Sequence, residues 1–191
     1  MDDYKLALKF IFSSMGLSLI LILFLVMLVS NSESGDASSI ATEYFQIPFN
    51  ENIRYTITSN FGGRTDPING GDAYHTGIDL SAPAGTEILA SANGIVEEVG
   101  YSADGLGNYV YVKHEFNGIV YYSAYGHMLD DSIVVSKDQP VVAGDKIGVI
   151  GTTGRSTGIH LHFMLMSPII SFNKQYLVDP STIVDGFKKG I

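Results

Sequence analysis

Beyond residue 43 this sequence never runs far without a turn. Clusters rich in glycine, asparagine, aspartate and proline recur at short intervals: NFGGRTDPINGGDAYH, APAGTE, SANG, SADGLGN, EFNG, VAGD and GTTGRSTG. Between them lie alternating or β-branched runs at 53–58, 87–99, 108–114, 119–125 and 146–150, rich in Val, Ile and Tyr. Short strands at this spacing specify an antiparallel all-β domain. Helical periodicity is absent after residue 43, except for a stretch near 179–187. No internal repeat and no second domain are visible.

The N-terminal part obeys different rules. From Phe10 to Val29 the chain has 20 residues without a charge, enough at about 1.5 Å per residue to cross a bilayer core of ~30 Å. The run exceeds the apolar core of about 7–15 residues expected of a cleaved signal peptide, and NSESGDASS follows it without an A-x-A-like cleavage site. One N-terminal transmembrane helix, an uncleaved signal anchor at 10–30, is expected. Lys5 and Lys9 precede the run and Glu33 and Asp36 follow it, which puts residues 1–9 in the cytoplasm and the rest outside. Residues 31–43 read as a polar linker, 44–183 as the folded domain and 184–191 as a C-terminal tail.

Charge and cysteine usage narrow the options further. The chain carries a formal −9, and Lys5 and Lys9 offset Asp2 and Asp3, so the external part keeps all of it. Such acidity argues against nucleic-acid binding and against adhesion to anionic surfaces. With no cysteine, the domain has no disulfide framework and is held by its core, with a metal as the available supplement.

The five histidines carry the chemical information. In GIHLHF, His160 and His162 are one residue apart, so on a strand they share a face with Cα atoms roughly 6.6 Å apart. His75 opens HTGID, where Asp79 would lie about 13 Å away along a straight strand; Gly77 permits the bend that would bring them together. His127 sits beside a glycine at the end of a strand in YYSAYGHM. His114, in YVYVKHEF, lacks such neighbours and reads as a structural strand residue.

A catalytic zinc takes three His or carboxylate ligands and leaves a position for water. His75, Asp79 and one of His160 and His162 supply that number, and spacing does not decide which of the pair binds. Two histidines and a carboxylate also suit non-haem iron. The two surplus histidines favour hydrolytic zinc, which needs groups that move protons and stabilise an oxyanion.

The segments SNFGGRTDP, HTGIDLSAPAGTEILASANGIVEEVG, GNYVYVKHEFNGIVYYSAYGHM, VVAGDKIGVIGTTGRSTGIHLHF and VDPSTIV together resemble the LytM or lysostaphin-type zinc metallopeptidases, bacterial peptidoglycan endopeptidases. The resemblance covers about 44–183. It implies a compact antiparallel β-sandwich-like domain, one catalytic Zn²⁺ held by His75, Asp79 and His162, and His127 and His160 as non-ligand catalytic histidines. It implies peptidoglycan as substrate, cut in its stem or cross-bridge by metal-activated water. Some relatives of this fold have lost the metal-binding residues and serve as binding or activator modules; here all five site residues are present.

Arg64 is a candidate substrate-binding residue, with a turn role as the alternative. Tyr74, Tyr122 and Tyr125 read as packing residues. GTTGRSTG lacks the P-loop Lys-Ser/Thr and reads as a loop that shapes the groove.

Overall fold

The structure is a computed structural model that describes residues 45–187. The expected membrane segment and linker lie outside the described residues, as do residues 188–191. Among the described residues no helix is long and apolar enough to cross a membrane.

Twelve strands account for most of this region: β1 (Thr56–Ser59), β2 (Gly62–Thr65), β3 (Asp72–His75), β4 (Ile78–Ser81), β5 (Glu87–Leu89), β6 (Gly94–Ser102), β7 (Gly107–Phe116), β8 (Ile119–Met128), β9 (Pro140–Val141), β10 (Lys146–Val149), β11 (Leu161–Met166) and β12 (Leu177–Val178). The all-β expectation holds, and every described pairing is antiparallel. The main sheet has the order β1-β4-β11-β8-β7-β6-β9, with β12 beside β11; β5–β10 and β2–β3 form separate pairs.

Local sequence explains the long central hairpin. Asn117 and Gly118 join β7 to β8 with φ of 51° and 79°, the two left-handed residues that a tight hairpin turn matching strand twist requires. On β7, Val110, Val112 and His114 alternate with Tyr109, Tyr111 and Lys113, and on β11, Leu161, Phe163 and Leu165 alternate with His162, Met164 and Met166. The first set on each strand faces the main core, with Ile88 of β5 and Ile147 of β10 packed into it. On the opposite face Tyr111, Ala124, Met164 and Met166 form a smaller cluster.

Three segments depart from the sequence reading. NFGGRTDPINGGDAYH is a hairpin, β2–β3, whose strands were masked by glycine and aspartate content. The run 87–99 is divided into β5 and β6 by a turn at 90–93. The helical stretch near 179–187 contracts to α1 (Pro180–Ile183), capped by the Asp179 carboxylate on the Ser181 N–H at 2.9 Å, and a 3₁₀ turn at Asp185–Phe187. Val184 and Phe187, assigned to a tail from sequence, are buried in the core, where Phe187 meets Phe163.

A candidate metal centre in a groove

The site is built on one lateral row of the sheet. Ser59, Asp79, His162 and Gly126 are successive register partners across β1, β4, β11 and β8. Strand alternation sends Ile78, Leu80, Leu161 and Phe163 into the core, so Asp79 and His162 emerge together on the other face. Gly126 closes the row, and a Cβ there would lie 3.0 Å from Leu106 Cδ2.

His75 arrives from β3 through a two-residue bend, Thr76–Gly77, before β4 begins. A Cβ on Gly77 would lie 2.2 Å from the Phe163 carbonyl oxygen. Close approach to β11, as much as the bend, therefore requires glycine here. The result is His75 Nε2 at 3.0 Å from Asp79 Oδ1, a distance a straight strand could not give.

Hydrogen bonding fixes which ring nitrogens face the centre. His75 Nδ1 is 2.8 Å from the Asn60 carbonyl oxygen, a pure acceptor, so Nδ1 carries the proton and Nε2 presents a lone pair. His162 Nε2 meets Thr76 Oγ1 at 3.4 Å, while the Thr76 hydroxyl donates to Met164 Sδ at 3.5 Å. This makes Nε2 the donor of His162 and leaves its Nδ1 bare. His162 Nδ1 lies 2.8 Å from Asp79 Oδ1 and 3.0 Å from His75 Nε2. Three acceptors thus converge with no proton among them, and all three residues are buried. The cluster lacks a positive charge, and its two imidazoles and one carboxylate suit a divalent metal that keeps an open position. The partners of the outer nitrogens, Asn60 and Thr76, orient the rings as supporting groups do at metal sites.

Two more histidines border the centre. His127 Nδ1 donates to the Thr153 carbonyl at 2.8 Å, and His160 Nδ1 to the Gly158 carbonyl at 2.9 Å. Each ring is therefore anchored by one nitrogen. Their centroids are 4.7 Å apart, and His160 Nε2 is 3.5 Å from Asp79 Oδ1. His160 lies one residue before β11, in a bridge with Gly151, rather than within a regular strand. His127 has φ of 60°, a left-handed backbone that non-glycine residues seldom adopt. Its N–H donates to the Leu106 carbonyl at 2.6 Å, which together with Thr153 holds it there.

Burial pushes the His127 pKa down to about 4. Burial also lowers His162. At His160 burial acts downward, but the hydrogen bond to Asp79 outweighs it and the pKa rises. Burial opposes the charge of Asp79, yet the surrounding His160, His162 and His75 rings hold its pKa well below the usual carboxylate range.

Arg64 is on β2 rather than in a turn, and its guanidinium is directed at the His75–Asp79–His162 cluster: Nη1 is 3.1 Å from Asp79 Oδ2. His114, on the core face, takes no part. Its Nδ1 donates to the Asn93 carbonyl at 2.8 Å, and its Nε2 meets Ser123 Oγ at 2.8 Å in a buried chain that continues through Tyr125 to Ser91.

The centre opens into a cavity of about 480 Å³ whose lining includes Tyr74, Tyr109, Tyr111, Phe172 and the loop residues Ile68 and Arg155. Arg155 Nη2 lies 2.7 Å from Asp66 Oδ2, joining the β2–β3 turn to the GTTGRSTG loop. Arg155 N also donates to the Gly105 carbonyl at 2.9 Å. Three loops are thereby tied around the groove. Asn60, Thr76, Thr153 and the groove tyrosines were missed in the sequence. Two of them act through carbonyls, which carry no residue signature; Tyr109 and Tyr111 were visible only as every second residue of β7.

Known proteins resemble this chain over the region that carries the site. Residues 73–180 match the model of peptidase family M23. The peptidoglycan DD-endopeptidase ShyC of Vibrio cholerae is 39% identical over 108 residues, 56% of this chain and 24% of that protein. Among solved structures, a zinc-containing peptidase from Vibrio cholerae superimposes with a TM-score of 0.58 at 34% identity, covering 71% of this chain and 39% of that one. The catalytic domain of the antimicrobial peptidase lysostaphin from Staphylococcus simulans does so with a TM-score of 0.57 at 28% identity, covering 81% of this chain and all of that one. The chain spans about a quarter of the length of the curated relatives it matches.

Proposed function

Because the chain belongs to peptidase family M23, we propose that it is a zinc endopeptidase that hydrolyses peptide bonds in the stem or cross-bridge of bacterial peptidoglycan. The observation that carries this reading is the convergence of His75 Nε2, Asp79 Oδ1 and His162 Nδ1 without an intervening proton, beside two histidines that are not part of the cluster. A non-catalytic binding module would have no use for that combination.

His75, Asp79 and His162 would hold the ion. When bound, zinc supplies Lewis-acid polarisation of a scissile carbonyl and acidifies water to a pKa of about 7. The chain's own residues do the rest. His127 and His160 each commit Nδ1 to a main-chain carbonyl, so Nε2 is the working nitrogen of both rings. One accepts the proton of the attacking water; the same ring, or its neighbour 4.7 Å away, donates to the tetrahedral oxyanion and to the leaving amine. The groove tyrosines and Phe172 exclude water around an extended peptide. The relative named a peptidoglycan DD-endopeptidase supports this substrate class.

Anchoring to the cell membrane with the peptidase domain outside is part of the proposal, supported by the uncharged run from Phe10 to Val29. Fractionation with alkaline extraction tests it: recovery in the soluble fraction would remove the anchor. Activity is tested by incubating the zinc-loaded full-length chain in detergent with purified peptidoglycan sacculi and identifying released muropeptides by mass spectrometry. New peptide termini, absent with His162→Ala, are expected. Intact sacculi with both proteins would overturn the enzymatic reading.

A further inference from the structure

One cation in the groove has no part in the reaction just described. Arg64 directs Nη1 between two oxygens, 2.5 Å from Ser59 Oγ and 3.1 Å from Asp79 Oδ2. Its Nε is buried and has no hydrogen-bond partner. Leaving a buried donor unpaired is unfavourable, so the side chain is held in this pose by what Nη1 gains. Ser59 is the register partner of Asp79, and the β1–β4 pairing shifts register between Ile57 and Ser59. Such irregularities re-aim side chains, and here the serine hydroxyl is placed to support the guanidinium.

The contacts of Asp79 are divided between its two oxygens. His75 at 3.0 Å, His162 at 2.8 Å and His160 at 3.5 Å all address Oδ1, whereas Arg64 addresses Oδ2. A carboxylate with both oxygens free can bind a cation through one or through both. Binding through both would use a position that a catalytic zinc site leaves for water and substrate.

Building on the metal reading above, we propose that Arg64 is a positioning residue that holds Oδ2 aside, so that Asp79 presents Oδ1 alone to the metal. Arg64 then governs coordination number rather than substrate affinity. A substrate-gripping arginine would lower affinity for the wall when replaced, and would leave the spectrum of a bound metal unchanged.

The test uses the full-length chain loaded with Co²⁺, whose visible d–d absorption is intense in four-coordinate sites and weak in five- or six-coordinate ones. Wild type is expected to take up one equivalent with an intense band. Arg64→Met should weaken the band, and Arg64→Lys, which returns a cation to Oδ2, should restore it. With zinc, Arg64→Met should lose about ten- to a hundredfold in kcat, the range for groups that support metal ligands, with KM nearly unchanged. Ser59→Ala, which frees the guanidinium from its second tether, should weaken the band less and keeps the question decidable if Arg64→Met does not fold. A wild-type band in Arg64→Met, or in Ser59→Ala should the former not fold, overturns this inference alone. Failure of the wild-type chain to bind cobalt overturns the metal reading and this inference with it.

Discussion

His162 faces Asp79 directly across two antiparallel strands, with Nδ1 2.8 Å from Oδ1, although 83 residues separate them in sequence. Two of the three candidate ligands are therefore placed by a β-ladder and not by loops. Sheet register fixes their separation, and the surrounding loops are free to shape the groove. His75 is the ligand whose position depends on a bend, and the hydroxyl next to it offers a way to probe the centre.

Thr76 accepts the outer proton of His162. Thr76→Val, which keeps shape and removes the hydroxyl, is expected to weaken zinc binding about ten- to a hundredfold, as loss of such supporting partners does. Thr76→Ser should bind like wild type. Competition with a chelator measures both.

The left-handed backbone of His127 separates its chemistry from its conformation. His127→Ala and His127→Gly should both lose about 10²–10⁴ in kcat, the contribution of a positioned acid–base group. Because φ is 60°, the glycine variant should be the more stable of the two by about 1 kcal/mol. Thermal unfolding of the two variants compares them; equal midpoints would show that the strain is relieved elsewhere.

His114 should make stability fall with acid. Burial holds its folded pKa at about 4, below the ordinary 6.5, so between those values the unfolded chain binds the extra proton. Stability is then full above pH 6.5 and declines as pH drops toward 4, by on the order of 3 kcal/mol. His114→Gln should flatten that slope in denaturant titrations across the window. The other four histidines are common to both proteins, so the difference between them isolates His114.

Much of this was legible in the residues. Strand rhythm gave the fold class, and Gly77 explained how His75 could reach Asp79. Alternation placed His160 and His162 on one face, although His160 ends up just outside β11. What stayed hidden is what primary structure does not encode locally. The carbonyls of Asn60 and Thr153 carry no side-chain signature. Arg64 read as a substrate-binding candidate or a turn residue because glycine and aspartate surround it; the paired β2–β3 hairpin tolerates that composition and delivers its guanidinium to Asp79.

Gly154 is expected to resist replacement where nearby Gly158 does not. Gly154 has φ of +70° and a Cβ there would lie 2.2 Å from the Gly107 nitrogen, whereas a Cβ on Gly158 meets nothing within 4 Å. Gly154→Ala should cost about 1–3 kcal/mol and reduce kcat by displacing the Thr153 carbonyl from His127. Gly158→Ala should match wild type in both denaturant unfolding and turnover.

The Asp66–Arg155 pair should affect substrate engagement more than folding. Backbone hydrogen bonds from Ile68 and the Arg155 contact hold the Asp66 pKa at about 2, so the pair persists at neutral pH. Asp66→Asn is expected to raise KM several-fold by loosening the groove, while leaving the melting temperature and kcat near wild type. Steady-state kinetics on a soluble cross-linked muropeptide would show this, and an unchanged KM would discount the clasp.

Strand β11 supplies the middle of the main sheet, between β4 and β8, yet it is nearly the last strand in chain order. A chain emerging from synthesis therefore holds β1, β4 and the β6–β8 meander as two unjoined halves until Leu161–Met166 arrives to bridge them. His162 comes in with that bridging strand. The candidate ligand set is thus completed late: a chain that lacks Leu161–Met166 has neither a joined sheet nor the third member of the cluster.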